Sequence, residues 1–443
     1  MSRLYSWLLN VFYLAALAAF SPLVLWAMLR TGKYREGYAQ KLLGLVPWRE
    51  GDATCIWLHA VSVGEVNLLA TLLGELRGAH PDWEFVVSTT SRAGYELARK
   101  KYADLAVFYC PLDFSWAVRR AMRRVRPSLL VLAELELWPN LILAAKEQGV
   151  RVAIVNGRMS DKSFPRYRRI RPLVAHFLRQ LDLIAVPSVE SAARFQRLGA
   201  PADRVRITGS LKFDGAETDR GNPRTAALRR LAAFAEDDVI FLAGSTQEPE
   251  EELAIDIYRR LSPAHPRLRL VLVPRHPERF DGVARLLAGS GLPWVRRSTI
   301  DDRREPMASR PVVLVDTVGE LAAWWGTATI AFVGGSFGSR GGQNMIEPAA
   351  YGAAVAFGPN TWNFRDIVAS LRDADAAVIV RDGQQLEAYV RRCLEEPLYA
   401  ATLGVRAQSL VKGQLGATRR TVARLESLLA ASAKGRLARR SAA

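Results

Sequence analysis

Cysteine and histidine are scarce in this chain: its 443 residues include three cysteines and five histidines, all scattered. Cys55, Cys110 and Cys393 form no CxxC pair, which argues against a disulfide framework or a structural zinc site and for a reducing compartment. The dispersed histidines offer no metal-ligand set. No GxxxxGK[ST] occurs, so ATP hydrolysis of the Walker type is disfavoured. Zinc-finger and RNA-recognition signatures are also missing. Negative charge is in deficit, with 44 Asp+Glu against 61 Lys+Arg, a formal charge of +17. That balance suits an anionic membrane surface, nucleic acid or a phosphorylated substrate. With 49% hydrophobic and 24% charged residues, the chain is neither disordered nor collagen-like. Its length suits two or three domains, each with its own core.

Leu4 to Leu29 contains no charged residue and exceeds the roughly 20 apolar residues that a membrane span requires. Tyr5, Trp7 and Trp26 stand near its ends, where amphipathic rings favour the interface, and Pro22 is a candidate kink. Arg30, Lys33, Arg35 and Lys41 follow it, whereas Arg3 and the amino terminus precede it. The positive-inside rule then places the rest of the chain in the cytoplasm. A cleaved signal peptide fits less well, because the apolar run is long and no clear small-x-small site closes it.

Beyond the anchor, short apolar runs alternate with segments of helical spacing. The runs are 55–61, 85–89, 105–110, 129–134, 150–156, 181–188 and 205–210, then 239–245, 268–274, 311–316, 328–335, 353–358 and 376–380. Buried strands alternating with amphipathic helices predict parallel sheets covered on both faces. The pattern pauses at the polar, turn-rich stretch 212–225. The expected division is an anchor (1–32), a first Rossmann-like unit (33–211), a linker (212–235), a second unit (236–425) and a basic tail (426–443). Ligands are expected at the carboxyl ends of the strands, in the crevice between the units.

Several motifs fall at those strand ends. In HAVSVGEV (59–66), Ser62-x-x-Glu65 fits a capping box, and Glu65 equally fits a general base for a sugar hydroxyl. VLAELELWPNLI (131–142) sets Glu134 and Glu136 after a buried strand, with Trp138-Pro139 opening a helix. Lys212 in GSLKFD is either a solvated lysine or a contact for an anionic group. GSTQEPEE (244–251) reads as a capped helix entry or a phosphate cradle. VPRHPERF places Arg275 and His276 between two prolines, and TVGEL opens a helix with Gly319-Glu320. FVGGSFGSRGGQNMIEPAAYG (332–352) runs from a strand through five glycines into a helix bearing Asn344 and Glu347. Glycines permit close backbone approach, helix starts favour phosphate, and a carboxylate a turn later can hold ribose hydroxyls. The stretch is not a GxGxxG fingerprint.

YREGYAQKLLG, HAVSVGE, AELELWPN, GSLKFD, PRHPER, DTVGEL and GGQNMIEPAAYG, in this order behind an apolar anchor, resemble the 3-deoxy-D-manno-octulosonic acid (Kdo) transferase family from residue 1 to about 425. The resemblance implies an α/β protein of the GT-B type, with two facing Rossmann-like αβα domains and an N-terminal membrane anchor helix. It implies metal-independent, inverting transfer of Kdo from CMP-Kdo to a lipid A precursor at the cytoplasmic face of the inner membrane, without a cofactor and without a nucleic-acid partner. By the same resemblance Glu65 matches the catalytic base, and Glu134 and Lys212 match positions that stabilise the transition state. CMP contacts map to Pro274, Arg275, Val318, Gly319, Glu320, Asn344, Met345, Ile346 and Glu347. Gln343, Leu135 and Asn360 depart from the usual His, Thr and His of the family. Two other readings of the residues remain: a GT-B glycosyltransferase with another nucleotide-sugar donor, or a non-enzymatic binder of anionic lipid or nucleic acid. The latter would rest on WAVRRAMRRVRP and FPRYRRIRP.

Overall fold

The computed structural model describes residues 2–31, 36–160, 163–300 and 310–440. Lys33 and Arg35, two of the charges flanking the anchor, lie outside the described residues. The chain divides into two compact units, one comprising 1–214 with 415–443 and the other 215–414.

The first unit is built on a seven-stranded sheet: β1 (Cys55–His59), β2 (Glu84–Thr89), β3 (Ala106–Tyr109), β4 (Leu129–Ala133), β5 (Arg151–Val155), β6 (Leu183–Val186) and β7 (Val205–Ile207). The order is β3-β2-β1-β4-β5-β6-β7, with every pairing parallel. Alternate side chains of one strand enter opposite cores, because strand side chains have a period of two. Trp57, Leu130 and Ile154 join one apolar cluster, and Leu58, Val131 and Ala153 the other. This double burial is why the strands read as continuous apolar runs.

The second unit has its own seven-stranded parallel sheet: β8 (Val239–Thr246), β9 (Leu268–Pro274), β10 (Trp294–Arg296), β11 (Val312–Leu314), β12 (Ile330–Val333), β13 (Ala354–Phe357) and β14 (Ala377–Ile379), ordered β10-β11-β9-β8-β12-β13-β14. The sequence pattern misses β10. It is three residues long, half-buried, at the sheet edge and ends in arginine, so it carries no apolar run.

The last helix, Ala417–Arg440, groups with the first unit, whereas the sequence division assigns residues to 425 to the second. Val422, Leu425 and Leu429 enter the same cluster as Leu58 and Val131. Asp214 caps this helix, accepting from Gly416 N at 2.7 Å and from Thr418 N. His80 Nε2 lies 2.7 Å from Glu426 Oε1.

The helix Ser2–Thr31 is, among the described residues, the one helix long and apolar enough to cross a membrane. One side of it is polar and engaged with the first unit. Ser6 is buried, Asn10 exchanges hydrogen bonds with Ser115 (2.7 and 2.9 Å), and Tyr13 Oη donates to Asp113 Oδ2 at 3.0 Å. Asp113 in turn accepts from Asn140 N and Leu141 N at 3.0 and 2.9 Å, capping the helix Pro139–Glu147 from a distant point in sequence. Trp7, Phe12 and Phe20 remain more than 60% exposed, so a large apolar surface is left unpartnered.

Candidate functional site

In each sheet the strand order reverses at one place, between β1 and β4 and between β8 and β12. Open parallel sheets bind ligands outside the carboxyl ends of strands at such switch points. Glu65, Glu134, Arg275 and Asn344 follow strands at or beside these places, whereas Lys212 follows the edge strand β7 and Val318, Gly319 and Glu320 follow β11.

Glu65 lies in the first turn of the helix Val63–Ala79, directly after β1. Ser62 is the N-cap, and its Oγ accepts from Glu65 N at 3.3 Å. Glu65 Oε2 accepts from Val61 N, and Oε1 from Ser62 Oγ, both at 2.9 Å. The capping-box geometry read from sequence is therefore present. It does not exhaust the carboxylate, since each oxygen has a second lone pair. Burial pushes the Glu65 carboxyl up, the local hydrogen bonds oppose this, and the nearby charge of Glu134 adds to the rise. Burial thus outweighs the helix terminus that the sequence suggests would favour ionisation. A carboxylate raised in this way is a stronger base than an exposed one.

Glu134 follows β4 in a left-handed conformation, φ 53°, with its backbone N donating to Val155 O at 2.9 Å. Lys212 Nζ meets Glu134 Oε1 at 3.0 Å. Asn156 Oδ1 accepts from Leu211 N at 3.2 Å, which ties the turn bearing Lys212 to the end of β5. Glu65 and Glu134 thus follow neighbouring strands, β1 and β4, and Lys212 reaches Glu134 from the turn after the edge strand β7. The sequence site omits Glu136, which belongs to the same group: Trp138 Nε1 donates to its Oε2 at 2.8 Å. Burial pushes Glu136 to about 7, with Glu65 and Glu134 contributing and the indole bond opposing.

In the second unit, Pro274 ends β9 and is buried, while Arg275 projects outward with Nε donating to Gln343 Oε1 at 3.1 Å. Gln343, the family departure, thus holds the arginine in place. Val318 is 79% exposed, and Gly319, at φ 92°, has open space around it. Glu320 accepts from Thr317 Oγ1 (2.7 Å) and from both arms of Arg297 (2.9 and 3.0 Å), so its carboxylate fixes this loop. Asn344 bridges the helix start: Nδ2 donates to Glu347 Oε1 at 2.9 Å and Oδ1 accepts from Ile346 N at 3.1 Å. Met345 and Ile346 are buried, so their side chains pack inward and offer a ligand only backbone. Burial raises Glu347, opposed by the Asn344 bond and by the charge of Arg275. A cation and a hydrogen-bonded carboxylate near one glycine-rich loop match a phosphate and a pair of ribose hydroxyls.

The residue that shapes this loop was not apparent from sequence. Glu250, fully buried, accepts from Gln247 N (2.9 Å), Gly335 N (2.7 Å), Ser336 N (2.9 Å) and Phe337 N (3.0 Å). A Cβ at Gly334 would lie 2.6 Å from Glu250 Oε2 and from Thr246 Cα, so glycine is required there. The only signal was the run Glu250–Glu252 at a helix start, of which Glu250 and Glu251 are both buried, and nothing local distinguishes the one that meets the loop.

Among the described residues no group of three His, Cys, Asp or Glu could hold a metal ion. The arginines of WAVRRAMRRVRP are largely committed to the protein itself. Arg119 pairs with Glu147, while Arg120, Arg124 and Arg126 donate to the backbone of Leu43, Val46, Arg49 and Gly51. In FPRYRRIRP, Phe164 and Tyr167 pack on the core and Arg166, Arg168 and Arg169 are exposed.

Residues 33–215 match the family model described as 3-Deoxy-D-manno-octulosonic-acid transferase (kdotransferase). A 3-deoxy-D-manno-octulosonic acid transferase of Bordetella pertussis is 35% identical over 94% of this chain and 99% of its own length. The one from Haemophilus influenzae is 32% identical over 94% and 98%. Among solved structures, the UDP-GlcNAc 2-epimerase from Neisseria meningitidis bound to UDP-GlcNAc is similar in fold, with a TM-score of 0.54, 14% identity and coverage of 84% of this chain and 100% of that one.

Proposed function

The chain belongs to the 3-deoxy-D-manno-octulosonic acid transferase family and is a glycosyltransferase of the GT-B fold, and from that premise we propose that it moves Kdo from CMP-Kdo to a hydroxyl of a lipid A precursor, with inversion and without a metal, at the cytoplasmic face of the inner membrane. The observation that carries this reading is the placement of Glu65 and Glu134 at the switch point of one sheet, with Lys212 reaching Glu134. Glu65 takes the proton of the acceptor hydroxyl as its oxygen bonds to the anomeric carbon. The bond from that carbon to the phosphate oxygen breaks, and CMP leaves with the electron pair. Glu134 faces the positive charge that develops on the sugar ring, and Lys212 sets the orientation of Glu134. In the second unit Arg275 receives the phosphate, Asn344 and Glu347 the ribose, and the Val318-Gly319 loop lends backbone. The apolar anchor and the excess of arginine suit an acceptor that carries acyl chains and phosphates.

The test is mass spectrometry of lipid A precursor incubated with CMP-Kdo and either the wild type or Glu65→Gln. Glutamine can still accept from Val61 N and donate to Ser62 Oγ, so the cap survives. The expected result is Kdo addition by the wild type, and no addition by a folded variant that still binds CMP. Full transfer by the variant removes Glu65 from the mechanism, and equal use of a UDP- or GDP-sugar refutes the donor.

A further inference from the structure

Glu136 is the carboxylate of the first-unit cluster that the reaction above leaves unused. It stands three residues beyond the end of β4. Its two neighbours are provided for differently. Glu65 receives two hydrogen bonds from its own helix start, and Glu134 holds the Lys212 ammonium. Glu136 has a neutral indole donor, Trp138 Nε1 at 2.8 Å.

Among the described residues, the remaining groups set against Glu136 supply no cation. The Trp138 ring stands edge-on to His59, with centroids 6.0 Å apart. His59 is fully buried, and burial lowers it to about 4, so it is neutral near pH 7. Its Nδ1 lies 2.9 Å from Ser88 Oγ, which already accepts the Trp57 indole N–H at 2.7 Å. Cys110, after β3, and Tyr167, on the helix Ser163–Arg169, both feel the charge of Glu136, and burial raises both, so they too are neutral. Among the described residues, three carboxylates thus share one ammonium, and low-dielectric surroundings disfavour ionising all three.

We propose that Glu136 is a positioning residue that keeps the proton this cluster retains at neutral pH, so that Glu65 remains the ionised, proton-accepting member. The inference rests on the function proposed above and deepens it. With Glu136 neutral, the cluster admits substrates that are themselves anionic: a donor with a carboxylate and a phosphate, and an acceptor with phosphates. Once Glu136 ionises, a further negative charge stands beside Glu134 and Glu65, and it repels those substrates. Its position near 7 places this change at physiological pH.

The experiment measures kcat/KM for Kdo transfer against pH for the wild type, Glu136→Gln and Trp138→Phe, with CMP affinity measured in parallel. In the wild type kcat/KM falls with rising pH through about 7. Glu136→Gln is permanently neutral, so its kcat/KM no longer declines through that range. Trp138→Phe removes the bond that stabilises the ionised form, so the decline moves to higher pH. A structural role alone would change the plateau rate and leave the profile in place. An unaltered profile in Glu136→Gln overturns the proposal, as does loss of transfer at every pH with CMP binding intact, which would make Glu136 the base. A direct reading that needs no transfer is carbon-13 NMR titration of glutamate carboxyls. A resonance titrating near 7 that disappears in Glu136→Gln supports the assignment, and none above the ordinary glutamate range sinks it. If the wild type fails to transfer Kdo, the function proposed above falls, while the titration still decides where the proton resides.

Discussion

Replacing Glu250 with glutamine is a change of one oxygen for one NH2 group, yet it has no harmless orientation. Gly335 N and Gln247 N donate to Oε2, at 2.7 and 2.9 Å, whereas Ser336 N and Phe337 N donate to Oε1, at 2.9 and 3.0 Å. Whichever way the amide turns, its NH2 faces two N–H donors, so two of the four bonds are lost. Hydrogen bonds to a charged group contribute about 1.5–3 kcal/mol each, so the local loss is about 3–6 kcal/mol. Burial pushes the Glu250 carboxyl up and the four donors oppose it, so part of this loss is offset if the wild-type group is partly protonated. Taking the lower end, opening of the loop at residues 335–337 becomes about a hundredfold more frequent, since 1.4 kcal/mol is a factor of ten. Hydrogen exchange of a peptide covering 332–345 reads this directly, and CMP titration reads the consequence for the adjoining Asn344 and Glu347. Glu250→Gln is expected to lose amide protection in that peptide while the strands of the first unit keep theirs. Unchanged protection would refute the view that one buried carboxylate organises the glycine-rich loop.

Lys212→Met leaves Glu134 uncompensated beside Glu65 and Glu136, so both should become harder to ionise. The acid limb of kcat/KM moves up by about one pH unit, because an opposite charge at this range is worth one to three. Stability should change by no more than about 1 kcal/mol, since the pair is partly exposed. An unmoved limb would exclude Lys212 from the electrostatics of the cluster. Tyr13→Phe removes the hydrogen bond to buried Asp113 and should lower thermal stability by about 1 kcal/mol, read as a melting shift of about 2–4 °C for a unit of this size. No shift would mean that the N-terminal helix does not dock through its polar stripe.

Both sheets were readable from sequence because their inner strands are buried on two faces, so apolar run and strand coincide. β10 lies outside that condition, as a half-buried edge strand whose last residue is Arg296. The last helix was assigned to the second unit because order along the chain is visible in a sequence, whereas Leu425 packing beside Leu58 is not. Candidate residues stand out in the sequence where a strand end meets a helix start, as at Glu65 and Asn344. Glu250 does not, because three of its four partners lie 85 to 87 residues away and its neighbours in sequence are also acidic. Glu136 was visible as half of a pair, but its distinction from Glu134 depends on which of them meets Lys212 and which meets an indole.

Ser6, Asn10 and Tyr13 recur at helical spacing, so they form a seam along one side of the N-terminal helix, and the bonds of Asn10 and Tyr13 tie that helix to the first unit. A molecule attached in this way behaves as a stylus rather than a kite. If that helix lies in a lipid sheet, as proposed above, the seam sets the height of the first unit over it, and inserting residues between the helix and β1 would not extend that reach. The proposed lipid acceptor would then come to it by lateral diffusion, with the sugar presented at the height the seam dictates.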